Sequence, residues 1–234
     1  MNLILLFEDD FVSDDEVRLS GRRLEHVMNV HRANAGDELK VGVCGGRIGS
    51  GIVTRLDDAL EMRVTLDRDP PPPIPLTLIL ALPRPKVLNR VIASATSLGV
   101  KRIHLVNAWR VEKSYWKSPK LSHENLLLQR TLGLEQAKDT ILPDISLHRL
   151  FRPFVENELP SIANGSLALV AHPHAQAECP RAVEGAVMLA IGPEGGFIAE
   201  EIASLERIGF QAVSIGARVL RVETAVAALI GRLY

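Results

Sequence analysis

The chain has 234 residues, of which 47% are apolar and 24% are charged, and its formal net charge at pH 7 is −1. A chain of this size and composition buries roughly 70–75% of its unfolded surface in one or two domains, which excludes disordered, collagen-like and disulfide-rich miniprotein classes. The two cysteines, Cys44 and Cys179, lie far apart and form no CxxC or Cys/His cluster. We therefore expect reduced thiols and no metal site.

The amino-terminal sequence MNLILLFEDD places acidic residues directly after a short apolar run, without a basic region or a cleavage site. This pattern is not that of a signal peptide. No apolar run reaches the ~18 residues that a membrane span needs. We expect a soluble protein that stays in the cytoplasm.

The charges are distributed unevenly along the chain. Residues 70–130 hold ten Lys and Arg against two Asp and Glu, whereas the segments on both sides are net acidic. Within this basic block, aromatic and cationic side chains crowd into one stretch: Trp109, Arg110, Lys113, Tyr115, Trp116, Lys117 and Lys120. Rings that stack on bases beside cations that contact phosphates are typical of nucleic-acid binding. A solvated helix face is the alternative interpretation.

The proline run DPPPPIP at residues 69–75 predicts a domain boundary, because such a run is stiff and lacks backbone donors. Before it, period-two alternation at residues 38–44, 47–56 and 61–66 predicts a small antiparallel β domain over residues 1–69. Residues 20–32 have apolar side chains near helical spacing, with Ser20 as a candidate N-cap, and predict one short helix.

After the linker at residues 70–75, apolar segments alternate with helical ones. Strands are predicted at residues 76–82, 102–108, 167–171, 186–192 and 210–216, and helices at residues 85–98, 122–138, 151–162, 199–208 and 222–234. Apolar strands that alternate with helices indicate a parallel sheet covered on both faces. The sequence therefore predicts an α/β domain over residues 76–234.

In such domains, ligands bind at the carboxyl ends of the strands, where three unusual loops are predicted. The first, AHPHA at residues 171–175, has two histidines but no third metal ligand nearby, so a tight turn with exposed imidazoles is favoured over a metal site. The second, IGPEGGF at residues 191–197, lets main-chain groups approach a ligand closely. It lacks the Lys of a Walker loop, and Glu194 favours a neutral or cationic ligand over a phosphate.

The third loop lies at the beginning of the segment IGARVLRVETAVAAL, residues 215–229. An apolar stripe from Val222 to Leu233 predicts a helix there, but it does not account for Arg218, Arg221 and Glu223 around the helix start. Two guanidiniums beside a carboxylate form either a structural ion pair or an anion-stabilising site with an acid/base partner.

The motifs GPEGG at residues 192–196 and IGxRVLRxETA at residues 215–225 resemble the carboxy-terminal signature of the SPOUT methyltransferases. In particular, they resemble the RsmE family, whose members methylate N3 of a uridine in 16S ribosomal RNA. Shorter matches occur in the same order at residues 26–37, 98–110, 135–136 and 172–173, so the resemblance extends through most of the chain. It departs from the family pattern at residues 137–140, where relatives usually carry an arginine.

The resemblance implies a small PUA-like, RNA-binding β-barrel followed by a SPOUT α/β domain with a trefoil knot. It also implies a homodimer that binds S-adenosylmethionine (SAM) in loop backbones and acts on 16S rRNA of the small ribosomal subunit, without a membrane or a metal. The implied cofactor-binding residues are Leu169, His172, Pro173, Ile191, Gly192, Pro193, Glu194, Gly195, Gly196, Ile215, Gly216, Val219, Leu220, Thr224 and Ala225.

For catalysis, we assign stabilisation of the uracil anion to Arg221, helped by Arg218. Glu223 either orients Arg221 or takes the proton from N3. The expected RNA-binding residues are Arg22, Arg23, Arg32, Arg84, Lys86, Arg110 and Lys113. Two alternatives stay open, namely a SPOUT methyltransferase that acts on another RNA and a noncatalytic, RNA-binding ribosome-assembly factor.

Overall fold

The structure is a computed structural model, and it describes residues 2–234. The chain divides into two compact units. The first comprises the chain up to residue 72 together with residues 131–142, and the second comprises residues 73–130 and 143–234. The division falls within the proline run, but the return of residues 131–142 to the first unit has no counterpart in the predicted domain limits.

The first unit contains a five-stranded mixed sheet with the order β1-β3-β4-β5-β2. Its strands are β1 (Ile4–Leu6), β2 (Glu16–Leu19), β3 (Glu38–Val43), β4 (Ile48–Leu56) and β5 (Leu60–Arg68). Strands β2 to β5 pair antiparallel, whereas β1 pairs parallel with β3. The prediction of a purely antiparallel domain was therefore wrong. The three predicted segments correspond to β3, β4 and β5, and the prediction missed β2 and also β1, whose three residues are all buried and so show no alternation.

Register shifts between β4 and β5 bend this sheet into a curled half-barrel. At one of them the strands approach so closely that a Cβ atom on Gly49 would lie 1.8 Å from the carbonyl oxygen of Thr65. Helix α1 (Gly21–His26) continues as a π-helical turn (Val27–His31) along the predicted helical segment. Ser20 occupies the N-cap position, but its side chain makes no capping hydrogen bond.

Residues 131–142 complete the packing of the first unit. Leu134 packs in a small apolar cluster with Leu3, Leu5 and Ile48. The next residue, Glu135, is only 1% exposed, and its two carboxylate oxygens accept hydrogen bonds from the guanidinium of Arg22 at 2.8 and 2.9 Å. A helix end distant in sequence therefore provides part of the core of this unit.

The second unit contains a seven-stranded sheet in which every pair of neighbours is parallel, with the order β10-β12-β9-β11-β6-β7-β8. Its strands are β6 (Leu76–Ala81), β7 (Arg102–Val106), β8 (Asp144–His148), β9 (Leu167–Ala171), β10 (Ala177–Glu178), β11 (Val187–Ile191) and β12 (Gln211–Ser214). The sequence predicted the five central strands and missed β8 and β10. These two are edge strands without a continuous apolar run.

The helices of the chain after the proline run are α2 (Pro85–Ser97), α3 (His123–Ala137), α4 (Phe151–Pro153), α5 (Leu159–Ala163), α6 (Ala199–Arg207) and α7 (Val222–Leu233). Proline at the first position of α2 fits the fixed φ of a helix start. A π-helical turn (Phe154–Glu158) separates α4 from α5 where one continuous helix was predicted. The apolar stripe of α7 is buried along its whole length, as predicted.

The fold class is thus the predicted one, an all-parallel α/β domain preceded by a small PUA-like curled sheet. Within residues 2–234, no helix has both the length and the apolar character to span a membrane.

Candidate active site

The loops that follow four adjacent strands of the parallel sheet, β12, β9, β11 and β6, surround one cavity of about 1170 Å³. Loops and helix starts converge at the carboxyl ends of parallel strands, which is where ligands bind in such sheets. The volume exceeds the roughly 300–1,000 Å³ of most small-molecule sites. The cavity therefore has room for a cofactor and for part of a second substrate.

The loop after β11 forms one wall of the cavity through its main chain. Gly196 donates its backbone N–H to the carbonyl oxygen of Pro193 at 2.7 Å and has a φ of +71°, which closes a tight turn. A Cβ atom on Gly192 would lie 2.7 Å from the backbone nitrogen of Phe197, so only glycine fits there. The carboxylate of Glu194 accepts a hydrogen bond from the backbone N–H of Arg84, 3.0 Å away, where the loop after β6 meets α2.

A buried carboxylate fixes this loop to its neighbour. Glu201, in the first turn of α6, is 7% exposed. One of its oxygens accepts the backbone N–H of Ile198 at 3.0 Å, and the other accepts that of Trp109 at 2.7 Å. Next to Trp109, Arg110 donates to the carbonyl oxygen of Gly195. The loops after β7 and β11 are therefore held together by charge-assisted hydrogen bonds.

The loop after β12 brings the three predicted catalytic residues to the cavity. Arg218, Arg221 and Glu223 all line it, and Gly216, with a φ of +135°, makes the turn that starts the loop. Glu223 accepts a hydrogen bond from Nη2 of Arg90 at 3.0 Å. Within residues 2–234, no carboxylate lies at ion-pair distance from Arg218 or Arg221. The ion pair predicted for Glu223 thus forms with Arg90, a different arginine. No carboxylate of the described chain neutralises the guanidiniums of Arg218 and Arg221, so both can bind an anionic group of a ligand.

A cationic wall completes the cavity. Arg84, Lys86 and Arg90 come from the start of α2, and Arg110 comes from the loop after β7. Tyr115 lines the same wall, and its hydroxyl donates to the carboxylate of Glu112 at 3.1 Å. Desolvation, and then the Glu112 carboxylate, raise the pKa of Tyr115 above its ordinary value.

Sequence reasoning missed Arg90 as a site residue, although it lies one helical turn after Lys86 on the same face of α2. No local signal placed Tyr115 in the cavity.

Most of the residues that were predicted to hold the cofactor are brought together. The lining contains His172, Pro173, Ile191, Gly192, Pro193, Glu194, Gly195, Gly196, Ile215, Gly216, Val219, Leu220 and Ala225. Neither Leu169, which is buried inside β9, nor Thr224, which is exposed on α7, lines the cavity. His174, another lining residue, donates its backbone N–H to Nδ1 of His172 at 3.3 Å. Over residues 2–234, no cluster of three or more His, Cys, Asp or Glu side chains is arranged to hold a metal ion.

The predicted RNA-binding residues separate into two groups. Arg84, Lys86 and Arg110 line the cavity, whereas Lys113 lies outside its lining. In the first unit, Arg23 binds both carboxylate oxygens of Asp10 and the carbonyl oxygen of Leu5, and Arg22 binds Glu135. These two guanidiniums therefore stabilise the barrel, while Arg32 is exposed.

Comparison with known proteins places the chain among RNA-modifying enzymes. The sequence profile described as "RNA methyltransferase domain" matches residues 70–234. The chain is 31% identical to a Treponema pallidum protein named Ribosomal RNA small subunit methyltransferase E, over 97% of this chain and 88% of that protein. It is 29% identical to the Mycobacterium tuberculosis protein of the same name, over 88% of this chain and 81% of the relative.

Two solved structures share the whole architecture. Ribosomal RNA small subunit methyltransferase E from Neisseria gonorrhoeae, bound to S-adenosyl methionine, superposes with a TM-score of 0.76 at 22% identity, over 97% of this chain and 95% of that one. A Legionella pneumophila protein in complex with the bound cofactor SAM gives a TM-score of 0.75 at 25% identity, over 98% and 96% of the two chains. The predicted fold class and family are therefore confirmed, and the chain belongs to the RsmE family of RNA methyltransferases.

Proposed function

We propose that this chain is a SAM-dependent methyltransferase that modifies N3 of a uridine in the 16S rRNA of the small ribosomal subunit. The observation that carries the proposal is a single cavity with two unlike walls. Glycine-rich loops after β11 and β12 form one wall, and Arg84, Lys86, Arg90 and Arg110 form the other. The first wall suits a cofactor bound through main-chain groups, and the second suits an RNA phosphate backbone.

The relatives support the same function. The matched proteins from Treponema and Mycobacterium are named as methyltransferases of the small-subunit ribosomal RNA, and the similar solved structures contain bound SAM. The cytoplasm, where ribosomes are assembled, is the proposed location. A homodimer is the proposed assembly, as the family resemblance implies.

The cavity fits SAM on chemical grounds. Residues 192–196 and 215–220 line the cavity, and the glycines among them, Gly192, Gly195, Gly196 and Gly216, let main-chain groups come close to a ligand. Apolar side chains such as Ile191, Leu220 and Leu229 provide surface for the adenine ring. When bound, SAM supplies a methyl group that is already activated by the positive charge on its sulfur.

The residues of the chain then act on the uracil. N3 loses a proton during transfer, and the resulting negative charge spreads to O2 and O4. We assign the stabilisation of that charge to Arg221, with Arg218 beside it, because both guanidiniums line the cavity without a carboxylate partner. Glu223 is bonded to Arg90 and not to Arg221, so of its two predicted roles we retain that of proton acceptor. Holding the reactants in line contributes up to ~7–11 kcal/mol to the rate enhancement.

The decisive experiment is a methylation assay on small ribosomal subunits from cells that lack this protein. Purified protein and SAM labelled in the methyl group should transfer label to 16S rRNA, and mass spectrometry of nuclease fragments should locate it on uracil N3. Transfer of label to the total RNA of these cells, but not to their small subunits, would identify a methyltransferase with a different substrate. An absence of transfer, together with no heat in calorimetric titration with SAM, would indicate a noncatalytic assembly factor.

A further inference from the structure

One tryptophan of the basic block is presented to solvent. Trp109 is 79% exposed, and it occupies a corner of a tight turn in which the backbone N–H of Val111 donates to the carbonyl oxygen of Ala108 at 3.0 Å. The other corner residue, Arg110, lines the cavity. The indole is therefore carried by the residue next to Arg110, one of the four residues of the cationic wall.

The turn that carries Trp109 is fixed from beneath. The backbone N–H of Trp109 is bound by the buried carboxylate of Glu201 at 2.7 Å, and Arg110 is bound to Gly195. A Cβ atom on Gly195 would lie 2.8 Å from Cδ of Arg110, so the arginine lies closely over the loop. The backbone that carries the indole is thus already ordered, so the protein would lose little backbone entropy when a partner binds to this ring.

The second tryptophan has a different role. Trp116 is 8% exposed, its Nε1 donates to Oδ1 of Asn107 at 2.8 Å, and the guanidinium of Arg149 lies over its ring. Packing and hydrogen bonding account for Trp116 completely. They do not account for Trp109, whose ring forms no such contact within the described chain.

We propose that Trp109 is a stacking platform for a base of the substrate RNA next to the nucleotide that enters the cavity. This inference rests on the proposed function and extends it to a residue that holds a flanking base by stacking, whatever the identity of that base. The ring lies in a segment with ten Lys and Arg against two Asp and Glu, which complements a polyanion. A second copy of the chain is a less suitable partner for this ring than RNA. A two-fold contact centred on Trp109 would place the Lys and Arg side chains of one subunit against the same side chains of the other.

The first test uses tryptophan fluorescence, because it needs no methyl transfer. Naked 16S rRNA, which contains no tryptophan, is titrated into the wild-type protein and into Trp109→Phe. Stacking should quench the wild-type emission, and the quenching should be lost in Trp109→Phe while the affinity stays within about fivefold. Quenching that is equal in the two proteins would overturn the proposal.

The second test measures affinity and kinetics. Base stacking on an aromatic ring is typically lost on alanine substitution at a cost of about 5- to 150-fold in affinity, so Trp109→Ala should raise the Kd for RNA and the KM by that factor and leave the affinity for SAM unchanged. Leu150→Ala is the matched control, since Leu150 is another large, exposed apolar side chain of the same unit. Its affinity for RNA should equal that of the wild type.

Two results would contradict the stacking role. One is a wild-type affinity for RNA in Trp109→Ala, and the other is a shift of Trp109→Ala from dimer to monomer in sedimentation, which would assign the ring to a subunit contact. Failure of the proposed function looks different, because the wild-type protein would then transfer no methyl group at all to the subunits.

Discussion

The guanidinium of Arg90 on α2 holds the carboxylate of Glu223 on α7, with 3.0 Å between Nη2 and Oε1. Both residues line the cavity, and Arg90 is largely exposed, so solvent screens the pair and its contribution to stability is small. Its effect is to fix the position of Glu223 at the start of α7. The carboxylate is thereby kept at the cavity and away from the two loop arginines.

Replacement of Glu223 should impair catalysis without unfolding the protein. Glu223→Gln keeps the shape and the bond to Arg90 but cannot accept a proton, so kcat should fall by about 10²–10⁴-fold while the KM for RNA is retained. Steady-state methylation of small subunits measures both constants. Arg90→Lys is the control and should keep most of the activity. A kcat of Glu223→Gln within threefold of wild type would exclude the proton-acceptor role.

Replacement of Arg221 should remove the charge stabilisation. Without its guanidinium, the developing uracil anion is left with Arg218 alone as a countercharge, so Arg221→Ala should lower kcat by about 10²–10³-fold. Calorimetry should find the affinity for SAM within threefold of wild type, which separates catalysis from cofactor binding. Arg218→Ala should show a smaller loss. The assignment fails if Arg221→Ala turns over at near the wild-type rate while SAM is bound.

Removal of the Arg22 side chain should destabilise the first unit. The Glu135 carboxylate is 1% exposed and would lose both of its guanidinium hydrogen bonds, so Arg22→Ala should lower the free energy of unfolding by about 3 kcal/mol. Urea denaturation followed by circular dichroism measures this change. Arg18→Ala is the matched control, since its ion pairs are exposed and 3.7–3.8 Å long, and it should change stability by less than about 0.5 kcal/mol. Equal losses for both variants would be inconsistent with a special role of Glu135.

Stability should fall in mild acid because of a histidine pair in the second unit. Nδ1 of His104 lies 3.0 Å from Nε2 of His148. Burial, and then the neighbouring His148, lower the pKa of His104, and burial lowers that of His148 against the opposing effect of Glu158. The folded protein thus binds protons less readily than the unfolded chain, whose imidazoles titrate near pH 6.5. The stabilisation is complete above that pH and is lost as the pH falls below it.

The test compares the urea midpoint of the wild type at pH 7 and pH 5. The midpoint should be lower at pH 5, and His104→Asn, which cannot titrate, should show a smaller difference between the two values. His123→Asn is the control, because His123 is exposed on α3, and its pH dependence should match that of the wild type. An unaltered difference in His104→Asn would assign the acid sensitivity to other groups.

The sequence predicted best the elements whose pattern repeats locally. The central strands of the parallel sheet are continuous apolar runs, and α7 has an unbroken stripe, so both were placed within a few residues. The glycine-bearing loops followed from the rule that ligands bind at the carboxyl ends of such strands. Strands β1 and β10 were missed because two or three residues are too few to show a period.

Pairings between distant residues could not be predicted from the sequence. Arg22 and Glu135 are 113 positions apart, and Arg90 and Glu223 are 133 apart. Nothing in the local sequence of either partner specifies the other, because the fold alone brings them together. Glu223 was therefore expected beside Arg221, its neighbour in sequence, and Arg22 was expected on an RNA-binding surface.

The return of residues 131–142 to the first unit determines when this unit can mature during translation. Leu3, Leu5 and Ile48 leave the ribosome early, but their partner Leu134 emerges only after the first strands and helices of the parallel sheet have been synthesised. A fragment that ends in the proline run would leave these side chains uncovered. A graft of the first unit into another protein should therefore include the carboxyl half of α3, which supplies Leu134 to this cluster.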